Sequence, residues 1–477
     1  MSYPESALAT DYYQLTMMAG YYSAQINQRK ACFDLFFRSN PFEGGYTLAV
    51  GLEDALKYLE SLCFTDDDIA YLASLKQFDD KFLRYLKDLR FTGDVDAVLE
   101  GTVVFPQEPV LRVTAPLDQC QLIESALLNI INFQSLIATK SARVCAEAGV
   151  DNVLEFGLRR AQGQDGALTA SKAAYIGGCA ATSNTQAGKV YGIPVKGTHA
   201  HSWVTAFDNE LTAFRKFVEI FPQNSVLLID TFDTLTSGAP NAITAGLEMK
   251  KRGERLAGVR LDSGDLMFLS VKVREALDQA GLFETKIYCS NELDEGIIHD
   301  LKSQGARIDV YGVGTRLISA FGEPALSGVY KMAACEDGDG EWKMKLKKSE
   351  GLTKATLPGF KQVWRMFNED DEMMADLIEL DGKEPDFSRG VTGTHPVVEG
   401  VSKFYDGIRK THALINPVMR SGRTVIDLPP LSDVRARARE QLKLLHPTSR
   451  RLLNPHIYKV SVGPHLSAIT RQLRKNL

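Results

Sequence analysis

Val226-Leu227-Leu228-Ile229 runs into Asp230-Thr231-Phe232-Asp233, and Gly258-Val259-Arg260-Leu261 runs into Asp262-Ser263-Gly264-Asp265. A short apolar, β-rich run that ends in a polar cluster reads as a buried strand followed by a loop with chemistry to offer. The pattern recurs on both sides. Val153–Phe156 precedes Gly157-Leu158-Arg159-Arg160, and Ile193–Val195 precedes Lys196-Gly197-Thr198-His199-Ala200-His201-Ser202. Lys286–Cys289 precedes Ser290-Asn291-Glu292, and Ile308–Val310 precedes Tyr311-Gly312-Val313-Gly314-Thr315. Helix-like stretches lie between them: Asn209–Phe221, Asn241–Lys251, Leu266–Ala280 and Glu295–Gln304. Strands alternating with helices predict a parallel sheet. Polar residues after nearly every strand predict an α/β fold of the irregular (β/α) barrel type, whose active site is assembled from those strand ends. A doubly wound open sheet is the alternative, but it concentrates its chemistry at one or two switch-point loops.

Upstream, helical and strand patterns mix. Thr10–Tyr22 and Leu48–Leu62 have helical spacing, whereas Cys32–Phe37, Val95–Val104 and Pro109–Thr114 read as strands. Downstream, Glu336–Gly340 and Glu341–Lys348 read as a solvated hairpin or loop, and Ser432–Leu445 as a helix. The 477 residues therefore divide into an N-terminal α+β domain (1–122), a barrel (123–335) and a stretch that completes the barrel and forms a C-terminal appendage (336–477).

Composition narrows the class. Lys plus Arg is 55 against 60 Asp plus Glu, a formal charge of −5, with 44% hydrophobic and 24% charged residues. That is an ordinary soluble globular composition, not a disordered one. A dedicated nucleic-acid binder needs a cationic surplus that is missing here. Seven widely spaced cysteines without a CxxC argue against a disulfide framework or structural zinc and for a reducing, cytoplasmic setting. Met1–Thr10 lacks the basic start and apolar run of a signal peptide. Ala126–Ala138 is interrupted by Asn129, Asn132 and Gln134 and reads as a buried helix, not a membrane span.

Four clusters carry chemistry. His199 and His201 sit in a loop of glycine and hydroxyls; a di-metal hydrolase would need further strand-end histidines, and the other six lie elsewhere. A histidine that titrates near neutrality can serve as nucleophile or acid/base. Asp262 and Asp265, bracketing Ser263-Gly264, can hold Mg²⁺, bind sugar hydroxyls or act as an acid/base pair. Asp230 and Asp233 repeat the motif one strand earlier. Gly312, Gly314 and Thr315, with Ser290 and Asn291 from the preceding strand end, form a candidate phosphate cup. Arg159, Arg160 and Arg260 can clamp an anionic substrate.

These pieces together resemble the nicotinate phosphoribosyltransferase family along nearly the whole chain. The matching runs are Thr10-Asp11-Tyr12-Tyr13-Gln14, Glu155-Phe156-Gly157-Leu158-Arg159-Arg160-Ala161, Thr182-Ser183-Asn184 with Ala187-Gly188, and Tyr191-Gly192-Ile193-Pro194-Val195. Gly197–Ser202, Val259–Asp265, Gly312–Thr315, Leu357-Pro358-Gly359 and Asn454-Pro455-His456 follow in the family's order. The resemblance implies that nicotinate and phosphoribosyl pyrophosphate yield nicotinate mononucleotide and pyrophosphate, with Mg²⁺ as cofactor and ATP hydrolysis coupled through a phosphohistidine. The family pattern Gly-Thr-x-Ala-His-Ser puts that histidine at His201 and leaves His199 at the variable position. It implies nicotinate contacts at Thr198, Arg260 and Tyr13, the last reaching a neighbouring subunit of a homodimer. Thr315 is implied as a contact for phosphoribosyl pyrophosphate, and Asp262 or Asp265 as the holder of Mg²⁺ or the ribose. Tyr12 replaces the family's usual aliphatic residue, and the absence of Cys after Cys335 predicts none of the zinc seen in some relatives. Nicotinamide and quinolinate phosphoribosyltransferases are the rival acceptor specificities. No membrane or nucleic-acid partner is expected.

Overall fold

The computed structural model describes residues 7–347 and 356–475. They form two compact units, one of residues 137–324 and one joining 1–136 to 325–477.

The 137–324 unit holds six strands: β1 Val153–Glu155, β2 Ala181–Thr182, β3 Val226–Leu228, β4 Gly258–Leu261, β5 Lys286–Cys289 and β6 Val310–Val313. All pair in parallel, in the order β2-β1-β6-β5-β4-β3. Apart from β2 and β3, which end the order, each strand lies next to its neighbours in sequence, and the last returns beside the first, Val313 opposite Glu155. That cyclic order is a barrel's; an open doubly wound sheet places its first strand in the interior of the order and builds outwards. The predicted strand Ile193–Val195 is reduced to a single bridge, Val195 to Thr182, flanked by Lys196 N–H donating to Thr182 O at 3.0 Å. No ladder joins it to β3 among the described residues, so the barrel has one open seam there.

The helices are α1 Gln164–Ile176, α2 Thr185–Tyr191, α3 His201–Thr205, α4 Glu210–Ile220, α5 Ala239–Lys251, α6 Leu266–Gln279, α7 Glu295–Ser303 and α8 Thr315–Ile318. One expectation shifts. β6 begins at Val310 and takes in Tyr311, Gly312 and Val313, which the sequence pattern assigned to the following loop. Gly312 fits a strand here because the Phe156 ring crosses it; a Cβ would lie 2.6 Å from ring carbons.

The other unit brings both ends of the chain together. Lys30–Phe37 pairs with Leu111–Pro116 on one side and Gly328–Glu336 on the other, within a seven-stranded sheet. A six-stranded sheet is built wholly from residues after 360, including Lys361–Phe367 and Met373–Leu380. Neither sheet shares a strand with the barrel, so 336–477 does not complete it; these residues belong with 1–136 instead. The reason is pairing: Gly328–Glu336 fills the free edge of Lys30–Phe37, whose side chains are nearly all buried. Gly328–Glu336 and Trp342–Met344 form a hairpin, so the predicted first segment Glu336–Gly340 is mostly its turn, and the predicted end at Lys348 lies outside the described residues. Ala126–Ala138 lies within the helix Glu124–Ala148. No helix among the described residues is long and apolar enough to cross a membrane. All seven cysteines are free, six of them buried.

Candidate active site

The C-terminal ends of β3, β4 and β5 bring one set of side chains together. After β3, Asp230 is 9% exposed and turns its carboxylate onto the β4 loop. Its Oδ2 accepts from Asp262 N–H at 2.8 Å and Ser263 Oγ at 2.6 Å. Asp230 Oδ1 is buried without a hydrogen-bond partner among the described residues. The Asp262 carboxylate is held from β5, where Ser290 Oγ donates to Oδ1. Asp262 Oδ2 lies 4.0 Å from His201 Nε2 and 3.9 Å from Arg260 Nη2. His201 Nδ1 is 3.1 Å from Thr231 Oγ1, and its side chain is 46% exposed, open to a reactant. Arg260, from the middle of β4, donates through Nη1 to Thr198 Oγ1. Its Nε is buried and unpaired among the described residues. Burial pulls the guanidinium's pKa below its usual range; Asp262 and Asp230 oppose this, and Arg159 adds to it. A guanidinium held partly desolvated, with donors to spare, is suited to a carboxylate.

A second set lies across β5 and β6. Thr315 Oγ1 donates to Glu292 Oε1 at 3.2 Å, and Arg316 Nη1 donates to Asp294 Oδ2 at 2.6 Å. Asn291 and Glu292 both have positive φ, 97° and 39°, a conformation uncommon for residues with a Cβ and costly to hold. Gly314 starts the turn into α8. Gly312, inside the strand, is kept small by Phe156 rather than by the turn.

Four predicted residues lie outside these two sets. Asp265 caps α6, its Oδ1 accepting from Phe268 N–H at 3.0 Å. Arg159 and Arg160 are exposed in a short 3₁₀ turn after β1, where Arg159 reaches the Arg260 site through its charge. Tyr13 belongs to the other unit, half exposed at the start of the helix Tyr12–Ser23. Sequence reasoning gave Asp230 only a supporting place and missed Thr231 and Glu155. Glu155, fully buried at the end of β1, accepts from Ser171 Oγ at 2.9 Å, Thr182 Oγ1 at 2.5 Å and Gly157 N–H. A buried carboxylate needs such donors, and its place at a strand end was the available signal.

No cluster of three or more His, Cys, Asp or Glu suited to a metal occurs among the described residues. Mg²⁺ commonly uses one or two carboxylates and completes its shell with substrate phosphates and water. Asp262 and the unpaired Asp230 Oδ1 fit that requirement.

Three family models match the chain: the nicotinate phosphoribosyltransferase N-terminal domain over residues 8–132, the family proper over 152–338 and the C-terminal domain over 360–470. Nicotinate phosphoribosyltransferase of Bacillus subtilis (strain 168) is 44% identical, covering 96% of this chain and 93% of its own. That of Caenorhabditis elegans is 36% identical, covering 96% and 92%. The crystal structure of human nicotinic acid phosphoribosyltransferase superposes with a TM-score of 0.85 at 32% identity, over 98% of this chain and 99% of that one.

Proposed function

The chain belongs to the nicotinate phosphoribosyltransferase family, and we propose that it transfers the phosphoribosyl group of phosphoribosyl pyrophosphate to nicotinate. The products are nicotinate mononucleotide and pyrophosphate, a step of NAD salvage, with ATP hydrolysis coupled through His201. The observation that carries this reading is the convergence of Arg260, Thr198, His201 and Asp262 at one group of strand ends.

In this reading the nicotinate carboxylate lies on the Arg260 guanidinium beside Thr198, which aims the ring nitrogen at C1 of the ribose. The nitrogen lone pair forms the new N–C1 bond as the C1–O bond to pyrophosphate breaks and its electrons leave on oxygen. Fixing the two reactants in line removes much of the bimolecular entropy cost. Asp262, steadied by Ser290 and by the Asp230-held turn, stabilises the cation-like ribose. Asp262 and the free Oδ1 of Asp230 would hold Mg²⁺, which would supply charge neutralisation for the pyrophosphate. Asp265 is less suited to this role because it caps α6. Gly314 and Thr315, with Ser290 and Asn291, bind the phosphate end, and Arg159 and Arg160 add positive charge at the rim.

ATP enters through His201. A ring nitrogen takes the γ-phosphoryl group, the bond to the departing ADP breaks, and the modified loop binds substrates more tightly until hydrolysis. Coupling requires such a difference in affinity between the two states. Tyr13, half exposed, is proposed to contact nicotinate in the neighbouring subunit of a homodimer. Seven free cysteines support a cytoplasmic setting.

Turnover on nicotinate, nicotinamide and quinolinate, followed by pyrophosphate release, tests the acceptor; lack of a nicotinate-dependent product overturns the assignment. With γ-labelled ATP, wild type is expected to take up acid-labile label and His201→Ala none. Equal labelling removes His201 from the coupling role.

A further inference from the structure

The barrel's open seam is not left bare. Along an extended strand successive amides point to opposite sides. Ile229 N–H, just past β3, donates to Arg260 O on β4 at 3.1 Å. Leu228 N–H therefore points the other way, into the seam. Its acceptor there is a side chain, His199 Nε2, at 3.1 Å. His199 Nδ1 lies 3.2 Å from Ala200 O. Both contacts form together only in the neutral ring with its proton on Nδ1, which donates to the carbonyl while Nε2 accepts the amide. A charged ring would set one N–H against another. Burial, the largest effect, opposes that charge and holds the pKa at about 4; the Ala200 carbonyl pulls the other way, and the charges of Arg260 and His201 add lesser opposition. The ring is 6% exposed and stands edge-on to Phe217 of α4, centroids 4.7 Å apart, with Phe214 behind it.

We infer that His199 is a positioning residue: its ring stands in for the missing strand at the barrel seam and ties the Gly197–Ser202 loop to β3. The loop's two working side chains flank it. Thr198 meets Arg260 on β4, and His201 meets Thr231 just beyond β3. With the ring anchored between them, both side chains keep their register against strands that the loop backbone does not pair with. His199 touches no reacting atom. The inference rests on the roles proposed above for Arg260 and His201.

The test uses the full chain with His199→Leu, which fills the space without an acceptor, and His199→Gln, which retains one. Losing the partner of a buried amide exposes its full desolvation cost, and outer-shell partners are typically worth about 10–100-fold in activity. His199→Leu is expected to speed amide exchange at Leu228 by at least about tenfold and to lower kcat/KM for nicotinate by about 10–100-fold. His199→Gln is expected to restore both to within about threefold, on the same principle. Wild-type exchange and kcat/KM in His199→Leu overturn the inference, as does equal impairment of the two variants. Labelling from γ-labelled ATP is run alongside. An unlabelled wild type overturns the phosphohistidine reading alone, while exchange and kcat/KM still judge His199. Should His199→Leu fail to fold, ¹⁵N-histidine NMR of the wild type decides: a ring protonated on Nδ1 alone at neutral pH supports the inference, and any other form overturns it.

Discussion

Arg260 illustrates how much one side chain's surroundings decide. Its Nη1 donates to Thr198, its Nη2 faces Asp262 at 3.9 Å, and its Nε is buried without a partner. A lysine has no planar fork and cannot meet Thr198 and a carboxylate in the same geometry. Arg260→Lys is therefore expected to raise KM for nicotinate and to cut kcat/KM by about 10–100-fold, the range of a lost charge-assisted pair. Turnover of nicotinamide, which has no carboxylate, should fall less; steady-state kinetics on both acceptors check this. Thr198, His201, Arg260, Asp262 and Ser290 were legible because each lies within or just beyond an apolar run, a local signal. Asp230's work was not, since its partner amide lies 32 residues away. His199, left by the family pattern at its variable position, was illegible for the same reason: the strand edge it satisfies is 29 residues downstream.

At the scale of elements, the polar residues after each strand fall into two populations. Those immediately after it, Asp230, Asp262 and Ser290, face the site. Those three or four residues further on cap the helix or helical turn that follows, for Asp233 the turn Thr234–Gly238 leading into α5. Asp233 accepts from Thr236 N–H at 2.7 Å, Asp265 from Phe268 N–H at 3.0 Å and Asp294 from Ile297 N–H at 2.9 Å. Sequence pattern alone cannot separate the two, because acids suit both a substrate cation and a helix N-terminus. Substitutions can. Asp262→Asn, which keeps the shape and removes the charge, is expected to lower kcat by about 100-fold, typical of a lost transition-state stabiliser, with little change in melting temperature. Asp265→Ala is expected to cost about 1 kcal/mol of stability, and Asp265→Ser to recover it as an alternative cap with near-normal turnover. Thermal melts and turnover of the three variants check this; loss of activity in a stable Asp265→Ser would make that carboxylate catalytic. The shifted start of β6 has a similar origin. Gly312 looks like loop punctuation in sequence, and only the Phe156 ring pressed against it shows why a strand needs it.

For the molecule as a whole, the repeating strand–polar–helix rhythm made the barrel legible, since each repeat is local. The other unit was harder to read because its pairings are not local. Lys30–Phe37 has Ala31 opposite Cys335 and Phe37 opposite Gly328, about three hundred residues on. No periodicity in either segment announces the other, and residues after 335 consequently read as an appendage to the barrel. The pairing makes a firm prediction. Seven of the eight residues of Lys30–Phe37 are buried, and Gly328–Glu336 covers one of its two edges. A chain ending at Pro324 would leave that edge unpaired, together with apolar faces otherwise covered by Tyr330, Val363, Ile378 and Val418 of the same core. An uncovered apolar edge strand templates association with other chains. Residues 1–324 expressed alone are therefore expected in the pellet, although they contain every strand of the barrel, and co-expression of 325–477 is expected to return them to solution. Sedimentation of lysates followed by size-exclusion chromatography checks both results. A monodisperse 1–324 fragment with native-like melting would mean that the pairing of the two chain ends contributes little to stability.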